Sequence, residues 1–219
     1  MLIENTNQSS IVIPTKELIG IKGTDFRVIT ALSVISNVEN NTLAGSNKRY
    51  ISFGKVDRNM EELCKAVGVS QSQFRKHLRA LVKHKSNEFK VVEKDYNDRK
   101  VKCYEIEYDK GGFVNVPVDK VESLLAGGSN HCIKLYANLL WLCNQDGEFV
   151  ERELTQGHLA TLMGLSSNMD RVVRIATKWL EGAGLIQTRK VWDSGTIVDE
   201  YGLPMGSKPK TKIFYSISL

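Results

Sequence analysis

The chain has 219 residues, 42% of them hydrophobic and 25% charged, a length that allows one large core or two small ones. Thirty Lys and Arg against 25 Asp and Glu leave a net charge of +5, so a basic surface exists only if the cations are gathered somewhere. No run of about 18 apolar residues is present to cross a membrane, and residues 1–10 are polar, with Glu4 where a secretory signal carries cations, which predicts a cytoplasmic protein.

In chain order, the first predicted element is a short extended segment, Ile11-Val12-Ile13, stopped by Pro14. Thr24 then opens a helix from Asp25 to about Val38, with Phe26, Ile29, Leu32 and Ile35 at helical spacing. A β-prone piece, Tyr50 to Phe53, follows. Leu63-Cys64-Lys65-Ala66-Val67-Gly68-Val69-Ser70 reads as a short helix ended by a glycine that can take positive φ, an apolar residue that drops into the core, and a serine placed to cap the next helix. That next helix buries Phe74, Leu78, Leu81 and Val82 and turns Gln71, Arg75, Lys76, Arg79 and Lys83 outward. A hairpin pairing Phe89 to Lys94 with Val101 to Tyr108 closes the first half.

After Lys110-Gly111-Gly112 the same order returns. Val114-Asn115-Val116-Pro117 repeats the proline-stopped strand, and Ser129 opens a helix from Asn130 to about Cys143. Glu148-Phe149-Val150 repeats the β-prone piece. Leu159-Ala160-Thr161-Leu162-Met163-Gly164-Leu165-Ser166 repeats the glycine turn. The helix after it, expected from Ser166 to Glu181, buries Val172, Ala176, Trp179 and Leu180 and turns Asn168, Arg171, Arg174 and Lys178 outward. A second hairpin pairs Leu185 to Trp192 with Thr211 to Ile217 around a Gly- and Pro-containing insertion. The fold class expected is α+β and mainly helical, in two equivalent domains, residues 1–110 and 111–219.

This order, with Leu-Ala/Cys-x-x-x-Gly-Val/Leu-Ser at each turn, resembles the winged helix-turn-helix superfamily over about residues 11–218, in two copies. The resemblance implies a three-helix core and a β-hairpin wing in each domain. It also implies double-stranded DNA as partner, with the helix after each turn in the major groove and the wing along neighbouring phosphates or the minor groove. Carried over by position, it marks Gln71, Ser72, Arg75, Lys76 and Arg79 in the first domain, and Ser167, Asn168, Arg171 and Arg174 in the second. Two such domains in a chain of this size look similar to plasmid and phage replication initiator proteins. A tandem winged-helix transcriptional regulator and an adaptor that binds protein are the alternatives.

Charge bears on this expectation. Residues 71–85 carry Arg75, Lys76, Arg79, Lys83 and Lys85 and no acid. Up to Gly112 the chain has 19 Lys and Arg against 14 Asp and Glu, whereas the remainder has 11 of each. A solvated helix face also carries cations, but it ordinarily mixes acids among them. Gln71, Arg75, Asn168 and Arg171 have side chains suited to base edges. Lys76, Lys83, Lys178, Lys190, Lys208 and Lys210 suit phosphates, and Arg99 and Lys100 sit at the first wing. Glu61, Glu62 and Asp170 lie close to the same surfaces.

Catalytic signatures are missing. Gly45-Ser46-Asn47-Lys48 lacks the flanks of a P-loop, no G-x-S-x-G elbow occurs, and no histidine pair accompanies a tyrosine as a nicking enzyme would need. The four cysteines form no C-x-x-C pair and read as reduced, buried thiols, so neither metal nor cofactor is expected. A binding module is preferred over an enzyme. Leu139, Trp141 and Leu142 widen one helix's apolar surface enough for a homodimer, for packing between the domains, or for contact with replication or transcription machinery.

Overall fold

Strand β1 (Ser10–Pro14) begins the computed structural model, which describes residues 10–14, 23–38, 48–84, 88–107, 113–145, 148–193, 196–198, 204–207 and 210–218. The first half continues with α1 (Gly23–Val34), β2 (Asn37–Val38), β3 (Lys48–Ser52), α2 (Phe53–Arg58), α3 (Met60–Val67), α4 (Gln71–His84), β4 (Phe89–Tyr96) and β5 (Arg99–Glu107). The second contains β6 (Phe113–Pro117), α5 (Val118–Gly127), α6 (Asn130–Cys143), β7 (Asn144–Gln145), β8 (Glu148–Phe149), β9 (Arg152–Glu153), α7 (Gln156–Leu162) and α8 (Asp170–Gly182). It ends with β10 (Ile186–Asp193), β11 (Thr196–Val198), β12 (Pro204–Ser207) and β13 (Lys210–Ile217). The fold is α+β.

Both halves contain helix, strand, helix, glycine turn, outward helix and hairpin in that order, with α2 an additional helix in the first half and α5 in the second, and both sheets interleave their strands alike. In the first, β3 pairs with β5, the later arm of the hairpin, giving the order β2-β3-β5-β4. In the second, β9 likewise pairs with β13, giving β10-β13-β9. The insertion between β10 and β13 forms its own small hairpin, β11 with β12.

Four local differences separate the structure from the sequence expectation. Helix α1 stops at Val34, because Thr30 and Ser33 bond back to the Phe26 and Ile29 carbonyls and the Ser36 hydroxyl takes the Ser33 carbonyl. Val38 then enters a strand opposite Arg49. The β-prone run ends one residue early, since the Ser52 hydroxyl accepts the Lys55 N–H (3.2 Å) and caps α2. Residues 118–127 form helix α5, burying Val121, Leu124 and Leu125. Helix α8 starts at Asp170 rather than Ser166, and its fully buried positions are Val173, Ala176 and Leu180, with Val172 and Trp179 half-buried. The four cysteines are free and buried, as expected.

The two copies do not stand apart. β1 and β6, the equivalent proline-stopped strands, pair antiparallel with each other. Ile11 faces Val116 and Ile13 faces Val114, with Val12 opposite Asn115 at the centre. Because Ile11 corresponds to Val114 and Ile13 to Val116, each copy gives the other the contact it receives, which is the register of a local two-fold axis. The buried side chains of both halves, from Ile11 to Tyr215, form one continuous cluster. The Lys110-Gly111-Gly112 boundary lies outside the described residues.

Arg27 of α1 bridges the halves. Its Nε donates to the Ala66 carbonyl (2.9 Å) at the end of α3, Nη1 to the Gly128 carbonyl (2.5 Å) and Nη2 to the Leu125 carbonyl at the end of α5. Last-turn carbonyls lack partners within their own helix and carry partial negative charge, so one planar fork satisfies two helix ends. Burial lowers the Arg27 pKa from its ordinary value, yet a guanidinium stays charged. Replacing Arg27 with Met is expected to destabilise the fold by about 2–4 kcal/mol in urea unfolding, since three carbonyls lose their donor. Arg27→Lys is expected to recover only part of this, because one ammonium cannot serve both ends.

On the first sheet, Glu105 is 4% exposed and sits between Lys90 (3.0 Å) and Lys48 (3.5 Å). Burial pushes its carboxyl pKa up, but hydrogen bonds from Lys90 and Tyr50 and the charges of Lys48 and Lys90 outweigh this and hold it below the ordinary value. A lowered carboxylate pKa stabilises the fold above the unfolded value and loses that effect as pH falls through the folded one. Glu105→Gln is therefore expected to lower stability at pH 7 and to flatten the acid limb of a stability-against-pH curve measured from pH 7 to 3.

Candidate nucleic-acid interface

Each half presents one helix outward through a glycine turn. In the first, Gly68 takes φ +75° and its N–H returns to the Cys64 carbonyl (2.9 Å), ending α3. Ser70 then caps α4 reciprocally. Its hydroxyl accepts the Gln73 N–H (3.3 Å) and the Gln73 side chain accepts the Ser70 N–H (3.0 Å). In the second, Thr155 caps α7 by accepting the His158 N–H, and Gly164 takes φ +73° with Leu165 N–H on the Ala160 carbonyl (2.9 Å).

From there the turns diverge. Buried Phe74, Leu78 and Leu81 of α4 have the same spacing as Val173, Thr177 and Leu180 of α8, an offset three residues greater than that between the two glycines. The second turn is thus three residues longer. Ser167 and Asn168 lie exposed within it, not at a helix N-terminus, and Met169 occupies the cap position without a side-chain bond. The longer turn folds back so closely that a Cβ on Gly157 would meet the Ser167 carbonyl at 3.1 Å. The glycine that looks unfavourable for α7 makes room for the turn.

In register of the buried faces, Ser72 corresponds to Arg171, Arg75 to Arg174, Lys76 to Ile175 and Arg79 to Lys178. All eight are exposed, as are Gln71 and Lys83. Lys76, Arg79, Lys83, Arg171, Arg174 and Lys178 form no ion pair with the described residues. Arg75 differs. Its guanidinium meets Asp57 of α2 at 3.2 Å, with both side chains more than half exposed. Asp57 and Arg75, with Arg79, Phe53, Met60 and Tyr104, line a groove of about 220 Å³ between α2, α4 and β5. The Tyr104 ring stacks between Phe53 (4.5 Å) and Phe89 (5.4 Å), and burial, with the Asp57 charge, raises its hydroxyl pKa against the opposing effect of Arg75 and Arg79. The Asp57 contact was not legible in the sequence, because α2 itself was not.

The hairpins flank these helices. Asn97 and Asp98 both have positive φ, 48° and 60°, and make the two-residue turn that leaves Arg99 and Lys100 exposed at the first hairpin's tip. On the second, Lys190 is exposed opposite Ile213. Its neighbour Arg189 is held by Glu151 through Nε (3.1 Å) and Nη2 (2.5 Å) and lies over the Phe214 ring. Lys208 and the Lys210 side chain lie outside what the structure describes. Two exposed apolar side chains stand out on the second half: Ile175, 59% exposed on α8, and Trp192, 70% exposed on β10. Trp141 is 38% exposed, whereas Leu139 of the same helix is fully buried, so α6 keeps one open edge.

No group of three or more His, Cys, Asp or Glu among the described residues could hold a metal ion, and no helix among them is long and apolar enough to cross a membrane. No protein-family model matches the chain, and no curated protein is similar to it in sequence. The glycine turns give a direct test of how α4 and α8 are held. Space is open around Gly68, so Gly68→Ala meets only the cost of positive φ, about 1 kcal/mol, readable as a drop in the urea midpoint with an unchanged m-value.

Proposed function

We propose that the chain is a sequence-specific double-stranded-DNA-binding protein built of two winged-helix units, in the role of a plasmid or phage replication initiator. The observation that carries the DNA reading is the repetition of one strand interleaving and of a helix, glycine turn, outward helix and hairpin, α2 being an addition to the first half and α5 to the second. In each copy the exposed helix after the glycine turn bears cations that pair with no acid among the described residues, and a hairpin lies beside it. An α-helix fits the major groove, and Lys or Arg on its flanks meets phosphate.

The geometry redistributes the roles assigned by position. Arg79, Arg171 and Arg174 are the arginines open to base edges, while Arg75 would have to leave Asp57 first. Lys76, Lys83, Lys178 and Lys190 serve as phosphate anchors, with Arg99 and Lys100 on the first hairpin. Ser167 and Asn168 contact DNA from a turn rather than from a helix end. The replication role rests on the two-copy layout; a transcriptional regulator is the second reading.

Selection of bound fragments from a random or genomic duplex pool tests both levels. Iterated sites beside an AT-rich stretch support replication, promoter-overlapping sites turn the assignment to regulation, and recovery of no fragment overturns DNA binding. With a selected duplex, Lys76→Ala is expected to reduce the log–log salt slope by about 1 without changing sequence preference. Arg171→Ala is expected to cost about 1–3 kcal/mol and to relax preference at a single base pair.

A further inference from the structure

We infer that Ile175 reads the C5-methyl group of a thymine, which makes the two copies unequal readers of one site; this rests on the DNA reading above. Ile175 is 59% exposed near the centre of the outward face of α8. At 100° per residue it lies within about 40° of Arg171 and about 60° of Lys178, on the side opposite Val173, Ala176 and Leu180. Arg171, Arg174 and Lys178, all within one turn, surround it with positive charge, and none is paired with a described acid. A branched aliphatic side chain left in water inside a ring of cations gains nothing from the fold. A partner that is anionic at the rim and apolar at one point would bury it. Duplex DNA has this pattern where a thymine methyl projects into the major groove between two phosphate rows.

The first copy has Lys76 at the corresponding position, with Ser72 and Arg79 around it, so no apolar group stands there. The local two-fold relating β1 and β6 therefore does not extend to what the helices recognise. The preferred site lacks dyad symmetry, and its thymine falls under α8 alone.

The test uses the full chain and duplexes recovered from a random pool, with each thymine replaced in turn by deoxyuridine, which removes one methyl and leaves charge and hydrogen-bonding groups unchanged. The expected result is one or two positions at which wild-type affinity falls about fourfold, the worth of one buried methyl. Ile175→Ala, at a position too exposed to unfold the chain, should bind thymine and deoxyuridine duplexes equally there, while Lys178→Ala should keep the discrimination. Equal binding of every deoxyuridine duplex by the wild type, or unchanged discrimination in Ile175→Ala, overturns the thymine assignment and leaves DNA binding standing. Recovery of no duplex at all overturns both.

Discussion

The Arg27 guanidinium is the point from which both outward helices take their positions. Through Ala66 it holds the end of α3, two residues before the Gly68 turn that launches α4. Through Leu125 and Gly128 it holds the end of α5. The Trp179 ring of α8 packs there so tightly that a Cβ on Gly128 would approach it to 3.2 Å. One side chain on α1 thus ties each copy's exposed helix to the shared centre. Each of its three nitrogens donates to a carbonyl, which fixes the plane of the fork. A second buried cation, Lys134 of α6, works along the same lines in the second half. It donates to the Met163 carbonyl (3.3 Å) just before Gly164, and burial lowers its pKa.

Repetition was legible in the sequence because it is written in residue types that tolerate few substitutes. A glycine forced to φ of about +75°, a small residue four positions before it and an apolar residue after it are each demanded by the turn, and both copies keep them. The outward face of α4 was legible for a similar reason, as burial at spacings of three and four leaves little freedom in register; on α8 the expected Val172 is only half-buried, Val173 and Thr177 are buried beside it, and Asn168 lies in the turn before the helix. Elements whose cause is a single side chain were harder to read. One serine, Ser52, converts a β-prone run into the start of α2, and three extra residues after Gly164 shift the start of α8 to Asp170.

What the sequence could not indicate was contact between distant segments. Val12 and Asn115 are separated by about half the chain, and nothing in either strand names the other as its partner beyond their similarity. The Arg75–Asp57 pair has the same character. Its consequence for the candidate interface is electrostatic: an acid from α2 offsets one of the cations of α4, so the positive charge free of described acids is centred on Lys76, Arg79 and Lys83. An exposed pair of this kind adds little to stability, generally under about 1 kcal/mol, and so can open at small cost when a stronger anion arrives.

The crosswise pairing of β1 with β6 also bears on how the protein is made. A chain emerging from the ribosome displays Ile11 and Ile13 long before Val114 and Val116 exist, so β1 waits with an unpaired strand edge until roughly a hundred more residues have been synthesised. During that interval the same edge can accept the corresponding strand from a neighbouring molecule on a polysome. Interchain exchange at this strand is the assembly error to which late pairing exposes such an architecture.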